Sequence, residues 1–354
     1  MNYRVKISSA AQPFLISDEI CKPLTEQLLT LGFTIENDVR NSDFLISFNH
    51  NQDLYNEFRR SGGQKESAAL IRLEPEAVYP AQHRSRIENL YGVIITPGSL
   101  IGDSTRRIPW PYYFNQNPLQ PETNTLNLKN VISNALNEGV FDFPQWMERP
   151  VTLSLIASNK VSSIKANNYK LRRKIAFQMP KGELSVYGGL WNESFMTKTK
   201  HRAGVAKFAL DSKLFPNLLE IYGNFFRNYM NSVGPIIDKH DVVKKSKFSL
   251  IIENDNNYVS EKLIDAFLGG SIPIFFGGDF ERMGIPSKLV FTNFRDAQDI
   301  SNFIGEVSDK DVRAYQEGVV EWLQSDLFLN RWEGDQVFAT IADEIAQYFR
   351  NAVK

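Results

Sequence analysis

The sequence predicts an α/β protein built as two parallel-sheet halves facing a cleft. Three observations carry this. Short apolar runs alternate with helix-like runs over residues 3–138, and again from residue 151 onward. Residues 140–150 (VFDFPQWMERP) fall between the two series and read as a linker. At 354 residues the chain is long enough for two cores. The alternative is one large α/β domain with decoration.

In the first half, residues 3–7 alternate as a strand does. Residues 19–31 put Leu24, Leu28, Leu29 and Leu31 on a helical repeat, with Gly32 as its stop. DFLISF (43–48), AALIRL (68–73) and YGVIIT (91–96) read as buried strands. WPYYFNQNPLQPET (110–123) reads as an irregular surface segment, and residues 127–138 as a helix. The second half predicts a strand at 151–157, a helix at 167–179 and strands at 184–187, 247–252, 272–276 and 289–291. Helices at 296–307, 309–324 and 332–351 close the series.

Bulk properties exclude several classes. Hydrophobic content of 42% and charged content of 23% are ordinary for a globular protein. A formal net charge of −1 gives no global reason to expect nucleic acid as a partner. One cysteine, Cys21, allows no internal disulfide framework and fits a reducing compartment. The four histidines, His50, His83, His201 and His240, are scattered, and none has zinc-ligand spacing. The first residues, MNYRVKISSAAQPFLIS, lack a basic region followed by an apolar core, so no signal peptide is expected. No run of 18 apolar residues suggests a transmembrane helix.

The most informative stretch is residues 253–278, ENDNNYVSEKLIDAFLGGSIPIFFGG, preceded by KFSLII at 247–252. Strand, polar loop, short helix, strand and glycine turn follow one another. Such a βαβ unit presents its loop at the carboxyl end of a parallel sheet, where open α/β folds bind ligands. Glu261 and Lys262 fall at the helix start, with Ser260 as the expected N-cap. Lysine supplies a compact charge for an anion, and a carboxylate accepts hydrogen bonds from hydroxyls. The competing reading is a solvated Glu-Lys pair on a helix. Asp309-Lys310-Asp311 has an Asp-x-Asp form but sits where a helix begins, and the helix dipole alone explains acidic residues there.

Residues 247–278 resemble the signature of the α-1,3/α-1,4-fucosyltransferases, glycosyltransferase family 10. Lys247, Phe248, Glu253, Asn254, Tyr258, Val259, Ser260, Glu261, Lys262, Gly270, Pro273 and Gly277 match it. The loop between Asn254 and Tyr258 holds only three residues, and Ile252 replaces the usual Phe. Upstream, LIASN (155–159) is similar to the family's strand ending in Ser-Asn, and LSVYG (184–188) to its V-D-V-Y-G strand.

The resemblance implies a GT-B-like pair of Rossmann-type domains facing a cleft. An N-terminal acceptor-side domain would span residues 1–145 and a C-terminal GDP-sugar-binding domain 146–354, with the last helix packing back on the first domain. It implies inverting transfer of fucose from GDP-fucose to a hydroxyl of a glycan acceptor, of α-1,3 type, with no obligatory cofactor and no metal. Arg173 takes the place of a phosphate-binding arginine, and a one-residue slip would choose Arg172. If the two were merely an exposed helix face with Lys174, neither would serve. Asn254, Tyr258, Glu261 and Lys262 would line the donor site. Glu74, after the 68–73 strand, would be the catalytic base, with Glu76 as its alternative.

Other expectations stay open. A related GDP-linked deoxy sugar is the alternative donor, and a non-catalytic glycan- or nucleotide-binding protein the alternative class. The family pattern breaks over residues 193–233. There Lys198, Lys200, His201 and Arg202, then Phe215, Leu218, Leu219, Tyr222 and Phe226, form either an acceptor-facing element or a packed decoration. The resemblance suggests a bacterial, cytoplasmic enzyme of polysaccharide biosynthesis or protein glycosylation, with peripheral association at the inner face of the cell membrane as a variant.

Overall fold

The computed structural model describes residues 3–8, 18–96, 107–109, 128–211, 227–229 and 232–352. They divide into two compact units, one of residues 1–128 with 329–354, the other of residues 129–328.

The first unit holds a six-stranded parallel sheet in the order β2-β1-β3-β4-β5-β6. Its strands are β1 (Tyr3–Ser8), β2 (Phe33–Ile35), β3 (Phe44–Phe48), β4 (Ala68–Ile71), β5 (Val93–Thr96) and β6 (Arg107–Pro109). Helices α1 (Asp18–Thr30), α2 (Gln52–Arg60) and the short α3 (Ser85–Glu88) connect them. All five residues of β3 are buried. Neighbouring residues on a strand point to opposite faces, so Phe44, Ile46 and Phe48 join Leu24 and Leu28 of α1, while Leu45 joins Tyr55 and Phe58 of α2. A parallel sheet covered on both faces reads as a continuous apolar run, which is what DFLISF is. Strands β2 and β6 escape the sequence pattern because each is a three-residue edge strand, too short to show a period.

The second unit holds a five-stranded parallel sheet in the order β11-β10-β7-β8-β9. Its strands are β7 (Val151–Ile156), β8 (Leu184–Tyr187), β9 (Ser232–Gly234), β10 (Ser246–Ile252) and β11 (Ile272–Phe276). The helices are α4 (Leu128–Asn137), α5 (Phe143–Met147), α6 (Tyr169–Gln178), α7 (Phe195–Asp211), α8 (Lys239–Lys244), α9 (Lys262–Leu268), α10 (Ala297–Glu306) and α11 (Asp309–Leu323), and α12 (Asp326–Trp332) begins in this unit and ends in the first. Strand β10 pairs in register with β7 on one side and β11 on the other, Phe248 opposite both Leu153 and Ile272.

Two expectations change here. Residues 140–150 do not form a loose linker. They contain α5, whose buried Trp146 donates its indole N–H to the Lys247 carbonyl at 3.2 Å. Arg149 follows and donates to the carbonyls of Val140, Ser246 and Gly270 at 2.7–2.9 Å. Residues 289–291 give one bridge, Ile274 to Phe291, rather than a strand. A 3-10 turn over Ser287–Leu289 occupies the approach. The irregular segment expected at 110–123 lies outside the described residues.

Helix α13 (Gly334–Ala352) returns the chain to the first unit. Phe338, Ile341, Ile345 and Phe349 recur at helical spacing and join the core of Leu24, Leu28 and Phe44. The Phe44 and Phe349 rings stack with centroids 4.3 Å apart.

Candidate functional site

The apolar run of β10 ends in a charge, Glu253, which is fully buried. Its backbone N–H donates to the Phe276 carbonyl at 2.8 Å, carrying the β11 pairing one residue further. A buried carboxylate is costly unless it is paired and hydrogen-bonded. Glu253 meets both needs. Oε1 accepts from the Ser260 N–H at 2.7 Å and from its hydroxyl at 2.6 Å, and Oε2 accepts from Lys262 Nζ at 2.9 Å. Lys262 Nζ also donates to Ser260 Oγ at 2.6 Å. The loop 254–259 is thereby closed by its own flanks. Ser260 does not cap α9 as expected. Glu261 occupies the cap position without a side-chain bond, while Ser260 one residue earlier donates its hydroxyl to Glu253 and accepts weakly from the Lys262 N–H at 3.5 Å.

Beside this triad lies a second set of charges. Lys239 of α8 pairs with Asp265 at 2.7 Å and stands 3.7 Å from Glu261. Burial works against the charge of Lys262, but Glu253 and Glu261 outweigh it and its pKa rises. Burial likewise works against Glu261, yet Lys262 and Lys239 hold it below the ordinary carboxylate range. Asp265 goes the other way, because burial outweighs its pairing with Lys239. A cavity of about 130 Å³ opens among Ser154, Ser249, Lys239, Glu261, Lys262 and Asp265.

Arg172 and Arg173 are not an exposed helix face. Only 3% and 2% of their surfaces are exposed, while Lys174 points to solvent. Arg172 donates to the carbonyls of Ser158 at 3.0 Å and Ile252 at 2.6 Å, and reaches Asn254 Oδ1 at 3.3 Å. It ties the end of β7 to the end of β10. Arg173 turns instead to Asn159 Oδ1 at 3.3 Å and the Lys160 carbonyl at 2.7 Å. Of the sequence-expected residues, Asn254 and Lys262 gather around the end of β10, and Arg172 reaches Asn254 there.

Tyr258 is buried, and its carbonyl accepts from Gly278 at 2.9 Å. Gly278 must be glycine for this approach, since a Cβ there would lie 2.7 Å from the Asn257 carbonyl carbon. Gly277 is constrained too, because its Cβ would fall 2.8 Å from Glu253 Cγ.

Glu74 belongs to the first unit, three residues past the end of β4. It is half-buried, whereas Glu76 is exposed. The Pro75 carbonyl accepts from Val78 and Tyr79, both at 3.0 Å, so the chain turns at once.

In the 193–233 stretch, Lys198 is buried rather than acceptor-facing. Its ammonium donates to Asn228 Oδ1 at 2.9 Å and to the Arg227 carbonyl at 3.3 Å, bracing α7. Residues 215–226 of the helical spacing lie outside the described part. Asp311 closes a capping box with Ser308, which accounts for the acidic start of α11. Among the described residues, no three His, Cys, Asp or Glu side chains are grouped as a metal requires. No described helix is long and apolar enough to cross a membrane.

Sequence reasoning quoted Glu253 only as a motif position and missed Lys239 and the reach of Arg172. Glu253 did leave a signal, a charge closing an otherwise apolar strand. Lys239 and Arg172 left none, because their partners are 14 or more residues away.

The sequence matches no protein-family model and no curated protein. The chain is similar to the crystal structure of an α1,3-fucosyltransferase, with TM-score 0.50 and 14% identity over 99% of this chain and 90% of that one. It is also similar to HepE of Anabaena in complex with UDP, with TM-score 0.52 and 9% identity over 98% and 100%. The fold is thus α/β of the GT-B type, two Rossmann-like units.

Proposed function

We propose that this protein is a glycosyltransferase that moves fucose from GDP-fucose to a hydroxyl of a glycan acceptor, with inversion. The observation that carries the reading is Lys262, held by a fully buried Glu253 at the carboxyl end of β10, inside the stretch that resembles family 10. An ammonium has three N–H donors. Two are engaged by Glu253 and Ser260, and the side chain is 26% exposed, so a third can meet a diphosphate oxygen. The fold, shared with an α1,3-fucosyltransferase, supports the class.

In this reading Glu74 takes the proton of the acceptor hydroxyl while that oxygen attacks the anomeric carbon. The bond from the anomeric carbon to the diphosphate oxygen breaks, and GDP leaves against Lys262 and Arg173, or Arg172 if the register slips by one. Asn254 and Tyr258 line the nucleotide or sugar pocket, and Glu261 accepts from sugar hydroxyls. Basic side chains carry the phosphate charge, with no obligatory cofactor. The protein acts in the cytoplasm, on an acceptor of a glycan pathway.

The test is a panel of GDP- and UDP-sugars, with GDP or UDP release measured against an array of oligosaccharide acceptors. GDP-fucose alone should turn over with acceptor present. Turnover of another GDP-deoxy sugar would move the donor. Release from UDP-glucose only would overturn the reading, as would tight nucleotide binding with no turnover of any donor.

A further inference from the structure

The segment that carries Glu74 is built with more care than a surface turn requires. Arg72 N–H donates to the Ile95 carbonyl at 2.8 Å, extending the pairing of β4 with β5, and Leu73 N–H donates to Asn49 Oδ1 at 3.1 Å. The sheet pairing thus ends at Arg72, and Glu74 lies two residues beyond it. Pro75 follows and biases Glu74 toward extended backbone. The Glu74 carbonyl then receives two side-chain donors from a single 3-10 turn, Pro80–His83. They are Gln82 Nε2 at 3.2 Å and His83 Nε2 at 2.9 Å.

We propose that His83 is a positioning residue that sets the direction of the Glu74 side chain by gripping the Glu74 carbonyl, in a ring state dictated by Arg72. The proposal rests on the reading of Glu74 as the general base. Its chemistry is closed by donor and acceptor counts. A carbonyl oxygen can only accept, so the ring must carry its proton on Nε2. A guanidinium can only donate, so the ring must offer its lone pair at Nδ1, which faces Arg72 Nη1 at 3.4 Å. One neutral tautomer satisfies both contacts. Arg72 is itself fixed, only 2% exposed, with its other arm on Glu88 Oε1 at 2.6 Å. The order runs Glu88, Arg72, His83, Glu74, from α3 across the end of β4 to the candidate base.

A water molecule would satisfy a turn carbonyl equally well, so satisfaction alone does not explain two converging side chains and a buried arginine behind one of them. Fixing a base does. Displacing a reacting group by about 1 Å can cost roughly 100-fold in rate. A carbonyl held by two donors restricts the rotation of the peptide plane next to the Glu74 side chain.

The experiment compares wild type with Glu74→Gln, His83→Ala and His83→Gln. GDP release from GDP-fucose is measured with a pooled set of oligosaccharide acceptors, alongside GDP affinity by calorimetry and thermal melting. Glu74→Gln should lower kcat by about 100-fold or more. His83→Ala should lower kcat by about ten-fold, with donor KM and GDP affinity unchanged. His83→Gln, whose amide can donate to the same carbonyl, should recover most of that loss. Wild-type kcat in His83→Ala beside a collapsed Glu74→Gln would remove the positioning role and leave the base in place. A His83→Ala loss that His83→Gln does not restore, matched by a fall in melting temperature, would assign His83 to packing and overturn the proposal. Full activity in Glu74→Gln, or no GDP release by the wild type, would remove the base reading and this role with it.

Discussion

Glu253 and Lys262 stand nine residues apart in the chain and 2.9 Å apart in the fold, with Glu253 wholly buried and Lys262 partly open. On the proposed function Lys262 has two jobs, pairing with Glu253 and meeting the diphosphate, which a single substitution would confuse. Lys262→Ala should destabilise the protein by about 2–3 kcal/mol, below the usual cost of stranding a buried charge because the lysine is partly solvated. It should also weaken GDP binding by roughly ten-fold through the lost charge-assisted bond. Glu253→Gln/Lys262→Ala removes the stranded charge and should recover most of the melting temperature but none of the GDP affinity. Wild-type GDP affinity in the double variant would reduce Lys262 to a structural partner.

Arg172 and Arg173 are neighbours in sequence with separate duties. Arg172→Ala removes bonds to Ser158, Ile252 and Asn254, so it should lower the melting temperature and disturb the end of β10. Arg173→Ala removes bonds to Asn159 and Lys160 and should also lower the melting temperature, but it should in addition lose about ten-fold or more in GDP-fucose turnover. Near-normal turnover in Arg173→Ala would hand the phosphate contact to Arg172.

Gly278→Ala would drive a methyl group to 2.7 Å from the Asn257 carbonyl carbon, which is backbone and cannot swing aside. The 257–258 peptide must shift, at a cost of about 1–3 kcal/mol. Donor affinity should fall with stability, because Tyr258 and Asn254 lie on that loop. A variant with unchanged melting and unchanged GDP affinity would show that the loop tolerates the shift.

Much of this fold was legible because parallel strands buried on both faces are bare apolar words. DFLISF, VTLSLI and KFSLII announce β3, β7 and β10 from hydropathy alone. The three-residue strands β2, β6 and β9 had too few letters to spell a period. Residues 140–150 misled for a different reason. Pro, Asp and Glu suggested a linker, while Trp146 and Arg149 take their meaning from partners about a hundred residues on, at Lys247 and Ser246. The same limit applies at the site. The residue types of 253–262 were readable, but not which donor closes on which acceptor. Lys239 reaches Glu261 and Asp265 only because α8 and α9 pack together.

His50 offers a test by pH in the first unit. Its Nδ1 lies 2.9 Å from the Tyr91 hydroxyl and its Nε2 3.1 Å from Gln52 Oε1. Burial depresses its pKa, outweighing the upward pull of the Gln52 bond. The fold thus favours the neutral ring more than the unfolded chain does. The resulting stability is fully present above pH 6.5, the ordinary value, and is lost as pH falls through the depressed one. His50→Gln removes this titration, so its melting temperature should decline less over that acidic range than the wild type's. Parallel curves for the two proteins would exclude the effect.

The placement of α13 has a consequence for how the chain is made. Val337, Phe338, Ile341, Ala342, Ile345, Ala346 and Phe349 complete a core whose other buried residues, from Val5 to Ile95, leave the ribosome far earlier. All of residues 129–328 are synthesised in between, taking about 10–40 s at roughly 5–20 residues/s. The second unit is contiguous and can close as it emerges. The first must wait without α13 against Leu24, Leu28 and Phe44 until that helix arrives, so newborn chains should depend on chaperone shelter at that partly covered apolar face.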